Sequence, residues 1–489
     1  MRTENRFHKM KKTKIVATIS DWNCDPKYIK ALYDNGMNVV RMNTAHINRD
    51  GATKIMDNVR SVSDKIAILI DTKGPEVRTA ELEADLIVEY GDKIKVTGDL
   101  SQTDCLKVNY PGFVADIHVG AKLLVDDGEI ELEVKSKDET FLYTEVTNNG
   151  VIKNRKSINV PGVSIKLPSL TAKDKDFILF AIENNIEFIA HSFVRNKTDV
   201  LDIQKILDEH QSPIRIIAKV ENQEGVDKID EILDVAYGVM IARGDLGIEI
   251  PAEKIPVVSR MLIKKCVERK RPVIMATQML HSMIEHPRPT RAEVSDIANA
   301  VYNRTDAIML SGETAYGKYG IEAVKVMNKV CIEVEEHKDR RNDIEPPINF
   351  DTSSFLAEIA NKAASEMNTT AIVTDTLSGH NARHISAFRS EMPVFAKCYR
   401  PRVMRELALS YGIFPSLIEP KTTRDETIQA SLKGLVDANC ITTNDTIVYV
   451  GSSYGIRGQA SFLEIINVGI GISPKAEENL FDLIGPKDK

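Results

Sequence analysis

One stretch constrains the fold of this chain more than any other: Arg215–Pro251, RIIAKVENQEGVDKIDEILDVAYGVMIARGDLGIEIP. Two apolar runs, 214–220 and 239–242, have the length of buried strands. Between them, a polar turn broken by glycine leads into a segment with Val226, Ile229, Ile232 and Leu233 at helical spacing. The pattern predicts a strand–helix–strand unit of the parallel kind. Lys219 lies near the end of the first run and Glu221 just past it; Asp245 follows the second run after Arg243-Gly244. Groups at the carboxyl ends of consecutive parallel strands share one face, where α/β barrels and open sheets place their chemistry. Two carboxylates converging there repel each other and resist desolvation unless a cation sits between them. A divalent metal held by few protein oxygens suits that arrangement and leaves positions open for a phosphate-bearing substrate. A lysine beside it supplies positive charge for a phosphoryl group or a developing oxyanion. Taken one at a time, such charges usually belong to a solvated surface; at matched strand ends, the set reads as a site.

The same rhythm runs through much of the chain. Apolar runs at 14–19, 38–42 and 66–70 come before this unit. Those at 188–193, 273–276 and 307–310 bring the total to eight, the number that closes a (β/α)8 barrel. An open doubly wound sheet is the alternative, and eight regular units favour the barrel, over residues 10–72 and 169–345. Thr171 with Asp174, and Thr290 with Glu293, read as capping boxes that open helices at 173–184 and up to 301. Between 73 and 168 the helical period gives way to short runs of period two, as in Glu129–Val134, with tight-turn signals such as Asp126-Asp127-Gly128. An all-β module is inserted at the functional end of a strand, a natural place for a lid. Glu345-Pro346-Pro347 marks the start of a third region, 346–489, where helix and strand alternate again. Its helices are expected at 354–367 and 381–390, and its strands at 371–374, 394–396, 446–450 and 463–468. The turn from Thr374 to Gly379 precedes a helix, a geometry that cradles phosphate through backbone N–H groups. Residues 1–9, ahead of Met10, read as an extension.

Composition bounds the partners. The chain has 489 residues, 43% hydrophobic and 28% charged, with a net charge of -7, which describes a soluble multidomain protein and excludes a dedicated nucleic-acid surface. Its six cysteines are scattered without a C-x-x-C pair, as expected of reduced thiols in the cytoplasm. No apolar stretch reaches membrane-spanning length, and no signal-peptide core follows the basic start.

IIAKVENQEGV, MIARGDLGIEIP, VIMATQMLHSMIEHPRPTRAEVSDIANAV, IMLSGETA, ILIDTKGPEVRT and GMNVVRMN occur in the order and spacing of one family. The chain resembles the pyruvate kinases over nearly its whole length. That resemblance implies a (β/α)8 barrel with an inserted β lid domain and a C-terminal α/β effector domain. It implies phosphoryl transfer from phosphoenolpyruvate to ADP, giving pyruvate and ATP, and carries over an expectation of a homotetramer. Residue by residue, Glu221 and Asp245 hold Mg²⁺ or Mn²⁺, and Lys219 stabilises the phosphoryl group and the enolate. Gly244 and Asp245, with Ala242 before them, offer backbone groups to the substrate carboxylate. Thr277 belongs to the proton relay, Ser192 lines the pocket, and Arg41 and Arg78 grip phosphates. Asn43, His46 and Lys156 lie toward the nucleotide. K⁺ takes oxygens at Asn43, Asp71 and Thr72, with Ala45 standing where the family usually has serine; Glu76 is the residue that accompanies potassium dependence. The first strand ends in Ser20-Asp21-Trp22 rather than Gly-Pro, so Trp22 either offers the adenine a stacking face or packs. His46 and His191 read as structural or pocket-wall groups, and Glu313 as a residue that orients its neighbours. Thr376, Ser378 and Gly379, with Gly458 opposite, match a sugar-phosphate effector loop in which His380 replaces a common arginine. Two rivals stand against the kinase reading: a metal-dependent pyruvate or enolate lyase on the same barrel, and a binding protein on a catalytically dead one. The lid and Arg78 argue against the first, and the retained Lys219, Glu221, Asp245 and Thr277 against the second.

Overall fold

The computed structural model describes residues 10–337, 346–348, 351–452 and 459–473. Eight parallel strands close into a barrel: Lys14–Thr18, Val39–Asn43, Ala67–Asp71, Phe188–His191, Arg215–Val220, Gly238–Ala242, Val273–Ala276 and Ala307–Leu310. Each pairs with its neighbours in that count, and the first pairs with the eighth to close the ring. Their residues are almost all buried, which is why the sequence shows continuous apolar runs rather than alternation: one face fills the barrel and the other meets the helical coat.

The helices begin where the capping chemistry says they should. Thr171 and Asp174 cap Ala172–Glu183 reciprocally, and Thr290 and Glu293 do the same for Arg291–Tyr302; each such cap contributes about 1 kcal/mol. The amphipathic segment after Glu221 differs from expectation. It is two helices, Gln223–Asp227 and Ile229–Val235, because the backbone leaves helical geometry at Lys228 (φ -100°, ψ 18°).

The inserted region forms a seven-stranded, mostly antiparallel sheet and a two-stranded ribbon around a core of its own, including Val96, Phe113, Leu132, Val134 and Leu142. It also holds a helix of one turn, Phe113–Asp116, too short for periodicity to reveal. The chain enters the lid through Gly74 at φ 71°, where a Cβ would stand 2.8 Å from the Phe193 ring and 2.9 Å from Ser192 Cβ. Only glycine fits that turn.

The C-terminal unit is a five-stranded sheet in the order Ile413–Leu417, Val394–Cys398, Ala371–Thr376, Thr446–Gly451 and Phe462–Asn467; the last strand is antiparallel to its neighbour and the rest are parallel. Thr352–Glu366, His380–Ala387, Pro401–Leu407 and Arg424–Asp437 are its main helices. The second of these stops earlier than the expected 390, and Arg389 beyond it is left-handed (φ 55°). Residues 10–12, assigned from the sequence to the barrel, group with this unit instead. The Gly412 amide donates to the Lys12 carbonyl (2.9 Å), and Lys12 Nζ donates to the Glu391 carbonyl (2.6 Å). The extension 1–9, the residues 343–345 around the expected boundary, and Gly458 lie outside the described residues.

Candidate active site

At the carboxyl ends of the barrel strands, the chain buries a row of alternating charges. Lys219, on the fifth strand, is the hub. Its Nζ lies 3.1 Å from Asp71 at the end of the third strand and 3.0 Å from Glu221, and donates to Ser192 Oγ at 2.7 Å. Arg41, on the second strand, donates to the other oxygen of Asp71 through Nε (2.6 Å). Arg41, Asp71, Ser192, Lys219 and Glu221 are all buried. So much charge survives in a barrel mouth because each group faces an opposite one.

The ionisation of the group follows from that pairing. Burial opposes the charge on Asp71 and on Lys219, yet the pairs win. Arg41 and Lys219 hold the Asp71 carboxyl below the usual range, and Asp71 and Glu221 hold the Lys219 ammonium above its ordinary value. Lys219 is therefore a fixed cation at any physiological pH. Glu221 goes the other way: burial, with Asp245 and Asp71 adding to it against the pull of Lys219, raises it to about 7. Asp245 is raised as well, chiefly by burial, while Lys219 and a hydrogen bond with Glu221 pull it back. Two adjoining carboxyl groups that both resist ionisation are short of a cation. A hard divalent ion with oxygen ligands fits this donor set.

Around this hub the chain is strained or braced. Thr277, just past the seventh strand, has φ 67°, and Gln278 after it has φ 57°. A β-branched residue is costly there, by about 1–3 kcal/mol. The turn is held because Arg243 donates to the Thr277 carbonyl (2.8 Å) while forking onto both oxygens of Asp296 (2.7 Å each). The Gly244 amide, which the resemblance gives to the substrate carboxylate, donates to Thr277 Oγ1 at 2.7 Å. The Thr277 hydroxyl in turn donates to the Ala276 carbonyl (2.7 Å). Arg243 and Asp296 were not read as functional from the sequence. They lie far apart in the chain, and no spacing signals the pairing.

The remaining candidates divide. Asn43 ends the second strand in register with Asp71, and its Oδ1 accepts from the Ala45 amide (3.1 Å). Thr72 Oγ1 accepts from the Ser192 amide (3.0 Å) and the Thr72 carbonyl from the Ser192 hydroxyl (2.7 Å). Asn43, Asp71 and Thr72 thus share one corner, where Asp71 already faces two protein cations. Ala242 is buried at the end of the sixth strand. His46 is exposed, with its amide on the Asn43 carbonyl (3.2 Å). Arg78 pairs with Glu76 (2.7 Å) and Lys156 with Asp126 (2.9 Å), both within the inserted region. Trp22 is 67% exposed and is not packed into the core of this chain. His191 is fully buried and burial lowers it to about 4, so it is neutral. Glu313 accepts from the amides of Leu280 (3.1 Å) and Ser311 (2.7 Å), as a residue that orients loops does. Between lid and barrel lies a cleft of about 590 Å³, bordered by Glu76, Asn159, Phe193, Asp245 and Glu249. In the C-terminal unit, Thr376 Oγ1 accepts from the Gly379 amide (2.9 Å), and the Ser378 carbonyl accepts from Arg383 (3.1 Å).

Comparison with known proteins identifies the family. The family described as "Pyruvate kinase, barrel domain" matches residues 10–324, and "Pyruvate kinase, alpha/beta domain" matches 355–466. The chain is 48% identical to a pyruvate kinase of Borreliella burgdorferi, over 94% of this chain and 98% of that one. It is 42% identical to one of Bacillus licheniformis, over 94% and 81%. A crystal structure of a pyruvate kinase from Cryptosporidium parvum superimposes with a TM-score of 0.87 at 33% identity, covering 94% of this chain and 96% of that one.

Proposed function

The chain belongs to the pyruvate kinase family and is a phosphotransferase that moves the phosphoryl group of phosphoenolpyruvate to ADP, and on that premise we propose how its residues divide the work. The observation that carries the proposal is Lys219, a buried and permanently charged ammonium within 3.1 Å of both Asp71 and Glu221. Phosphoryl transfer needs little covalent help; it needs in-line positioning and charge neutralisation. Lys219 faces the phosphoryl group as it moves and the enolate oxygen it leaves. Its charge is fixed, so it acts electrostatically rather than as a proton donor.

The family is generally dependent on Mg²⁺ and K⁺. Glu221 and Asp245 hold the divalent ion, which when bound supplies positive charge to the substrate's oxygens. Gly244 and Asp245, with Ala242 before them, bind the carboxylate end of the substrate, and the Gly244 amide turns from Thr277 to do so. Ser192 lines the pocket and keeps Lys219 aimed. Arg41 grips phosphate from the second strand, and Arg78 from the lid. Asn43, His46 and Lys156 serve the nucleotide; Lys156 exchanges Asp126 for phosphate on closure. Thr277 belongs to the relay that protonates the enolate carbon through water, since a threonine hydroxyl is too weak an acid to do this unaided. Asn43, Asp71 and Thr72 supply oxygens to K⁺, and water or a backbone carbonyl takes the place that Ala45 cannot fill. Thr376, Ser378 and Gly379, with Gly458, bind a sugar-phosphate effector. The enzyme works in the cytoplasm as a homotetramer; among the described residues, no helix is long and apolar enough to cross a membrane.

The test is coupled pyruvate formation from phosphoenolpyruvate and ADP with Mg²⁺, with and without K⁺, on the wild type and on Lys219→Met. Activity that rises with K⁺ and collapses in the variant supports the division of labour. A variant that keeps its activity removes Lys219 from the centre of it.

A further inference from the structure

In the C-terminal unit, the helix His380–Ala387 sets His380 and His384 one turn apart on the same face, with ring centroids 4.0 Å apart and planes inclined by 41°. Asp351, the N-cap of the helix Thr352–Glu366, brings a carboxylate oxygen to 3.3 Å from His384 Nδ1. One donor atom from each of the three residues lies within 4.8 Å of the other two. A plainer role exists for part of this cluster. Asp351 caps its helix by accepting from the amides of Ser353 (3.3 Å) and Ser354 (3.0 Å), and the Ser354 hydroxyl donates to it at 2.6 Å and meets His384 Nδ1 at 3.0 Å. Capping accounts for Asp351 and for the tether on one imidazole. It does not call for a second imidazole against the first.

We propose that Asp351, His380 and His384 form a binding site for a divalent transition-metal ion of the zinc class. Two imidazoles and one carboxylate suit Zn²⁺, Co²⁺ or Ni²⁺, whereas Mg²⁺ and Ca²⁺ prefer shells of oxygen alone. Histidines at i and i+4 on a helix present their nitrogens to one point. Bonds of about 2.0–2.1 Å in a tetrahedral shell separate ligands by about 3.3 Å. Asp351 and His384 already stand at that separation, and rotation of the His380 side chain closes the third side. The Ser354 hydroxyl on Asp351 is the outer hydrogen bond that fixes a carboxylate ligand's orientation. The side chains of His384 and Asp351 are 13% and 30% exposed, so an ion can enter and retain water at a fourth position. Bound metal ties the starts of two helices together.

The test is calorimetric titration of the metal-stripped, full-length protein with Zn²⁺, in Mg²⁺ sufficient to saturate the oxygen-rich site at the barrel mouth. The wild type should take up one more equivalent of Zn²⁺ per chain than His380→Ala/His384→Ala. Asp351→Asn keeps a capping oxygen and should bind the ion about 10–100-fold more weakly. Co²⁺ offers a second reading that needs no variant: a four-coordinate site gives intense visible d–d absorption in the wild type. Equal Zn²⁺ uptake by the wild type and the double variant, or only the faint absorption of six-coordinate Co²⁺, overturns the proposal.

Discussion

The backbone amide of Gly244 donates to Thr277 Oγ1 at 2.7 Å, tying the start of the helix after the sixth barrel strand to the turn after the seventh. The amide proposed to bind the substrate carboxylate and the hydroxyl proposed to serve the proton relay thus hold each other in this structure. Thr277→Ala removes that hydroxyl. Exchange of the pyruvate methyl hydrogens with solvent should fall about 100-fold or more, while Thr277→Ser keeps most of it. Tritium release from labelled pyruvate measures this, and an unchanged rate in the alanine variant would remove Thr277 from the proton path.

Lys219→Met leaves Glu221 buried without its cation and Asp71 with only Arg41. Pyruvate formation should drop by at least about 100–1,000-fold. The same change should cost about 3–5 kcal/mol of stability, as expected when one partner of a buried ion pair is removed. Thermal melts beside the coupled assay separate the two effects. Adding Glu221→Gln to the variant should recover part of the melting temperature and none of the activity.

The pH dependence has a definite sign. The folded-state pKa of Glu221 is raised to about 7, so the metal-free protein loses stability as pH rises from the ordinary carboxylate range through about 7. A divalent ion held by Glu221, as proposed, would have to displace that proton, and its affinity would therefore strengthen over the same window. Mn²⁺ titrated by electron paramagnetic resonance should bind about fivefold more tightly at pH 7 than at pH 6, and change little above 8. Affinity flat across this range would show that Glu221 is ionised throughout.

Arg243 holds the Thr277 carbonyl in its strained turn and is itself held by Asp296. Arg243→Lys should fail to replace it, because an ammonium cannot fork onto a carboxylate while reaching a carbonyl. We expect a fall in kcat of about 100-fold with a cooperative melt. Asp296→Asn should be milder. Wild-type kcat in the lysine variant would make the brace irrelevant to catalysis.

Ala45 brings no side-chain oxygen to the corner shared by Asn43, Asp71 and Thr72. Ala45→Ser adds one, and should lower the K⁺ concentration for half-maximal activation several-fold at unchanged maximal rate. A K⁺ titration of initial velocity checks it. No response to K⁺ in either protein would place the ion elsewhere or dispense with it.

The barrel was legible in the sequence because its strands are buried on both faces and show as continuous apolar runs such as Ile66–Ile70, and because eight of them recur along the chain. The capping boxes at Thr171 and Thr290 were legible for a local reason: donor and acceptor lie three residues apart. Lys219, Glu221 and Asp245 could be grouped because parallel strands deliver their ends to one face. The partners were hidden. Nothing local pairs Arg41 with Asp71 or Arg243 with Asp296, and a left-handed Thr277 leaves no trace in residue type. The break at Lys228 was missed because apolar spacing on either side of it runs on as though the helix did. Met10–Lys12 join the C-terminal unit through backbone hydrogen bonding to Gly412, which composition does not encode.

The lid's separate core bears on how the barrel comes to exist. The third and fourth barrel strands pair directly, Leu69 against Phe188, yet the whole inserted region lies between them in the chain. Left unstructured, that insertion would be a long loop whose closure delays the pairing. Because Val96, Phe113, Leu132 and Leu142 can collapse on one another without barrel residues, the insertion can fold first, as the chain emerges during synthesis. Folding draws its two ends together and shortens the effective path from strand to strand. The domain proposed to cover the substrate would then serve, earlier in the molecule's life, as the clasp that lets the ring close.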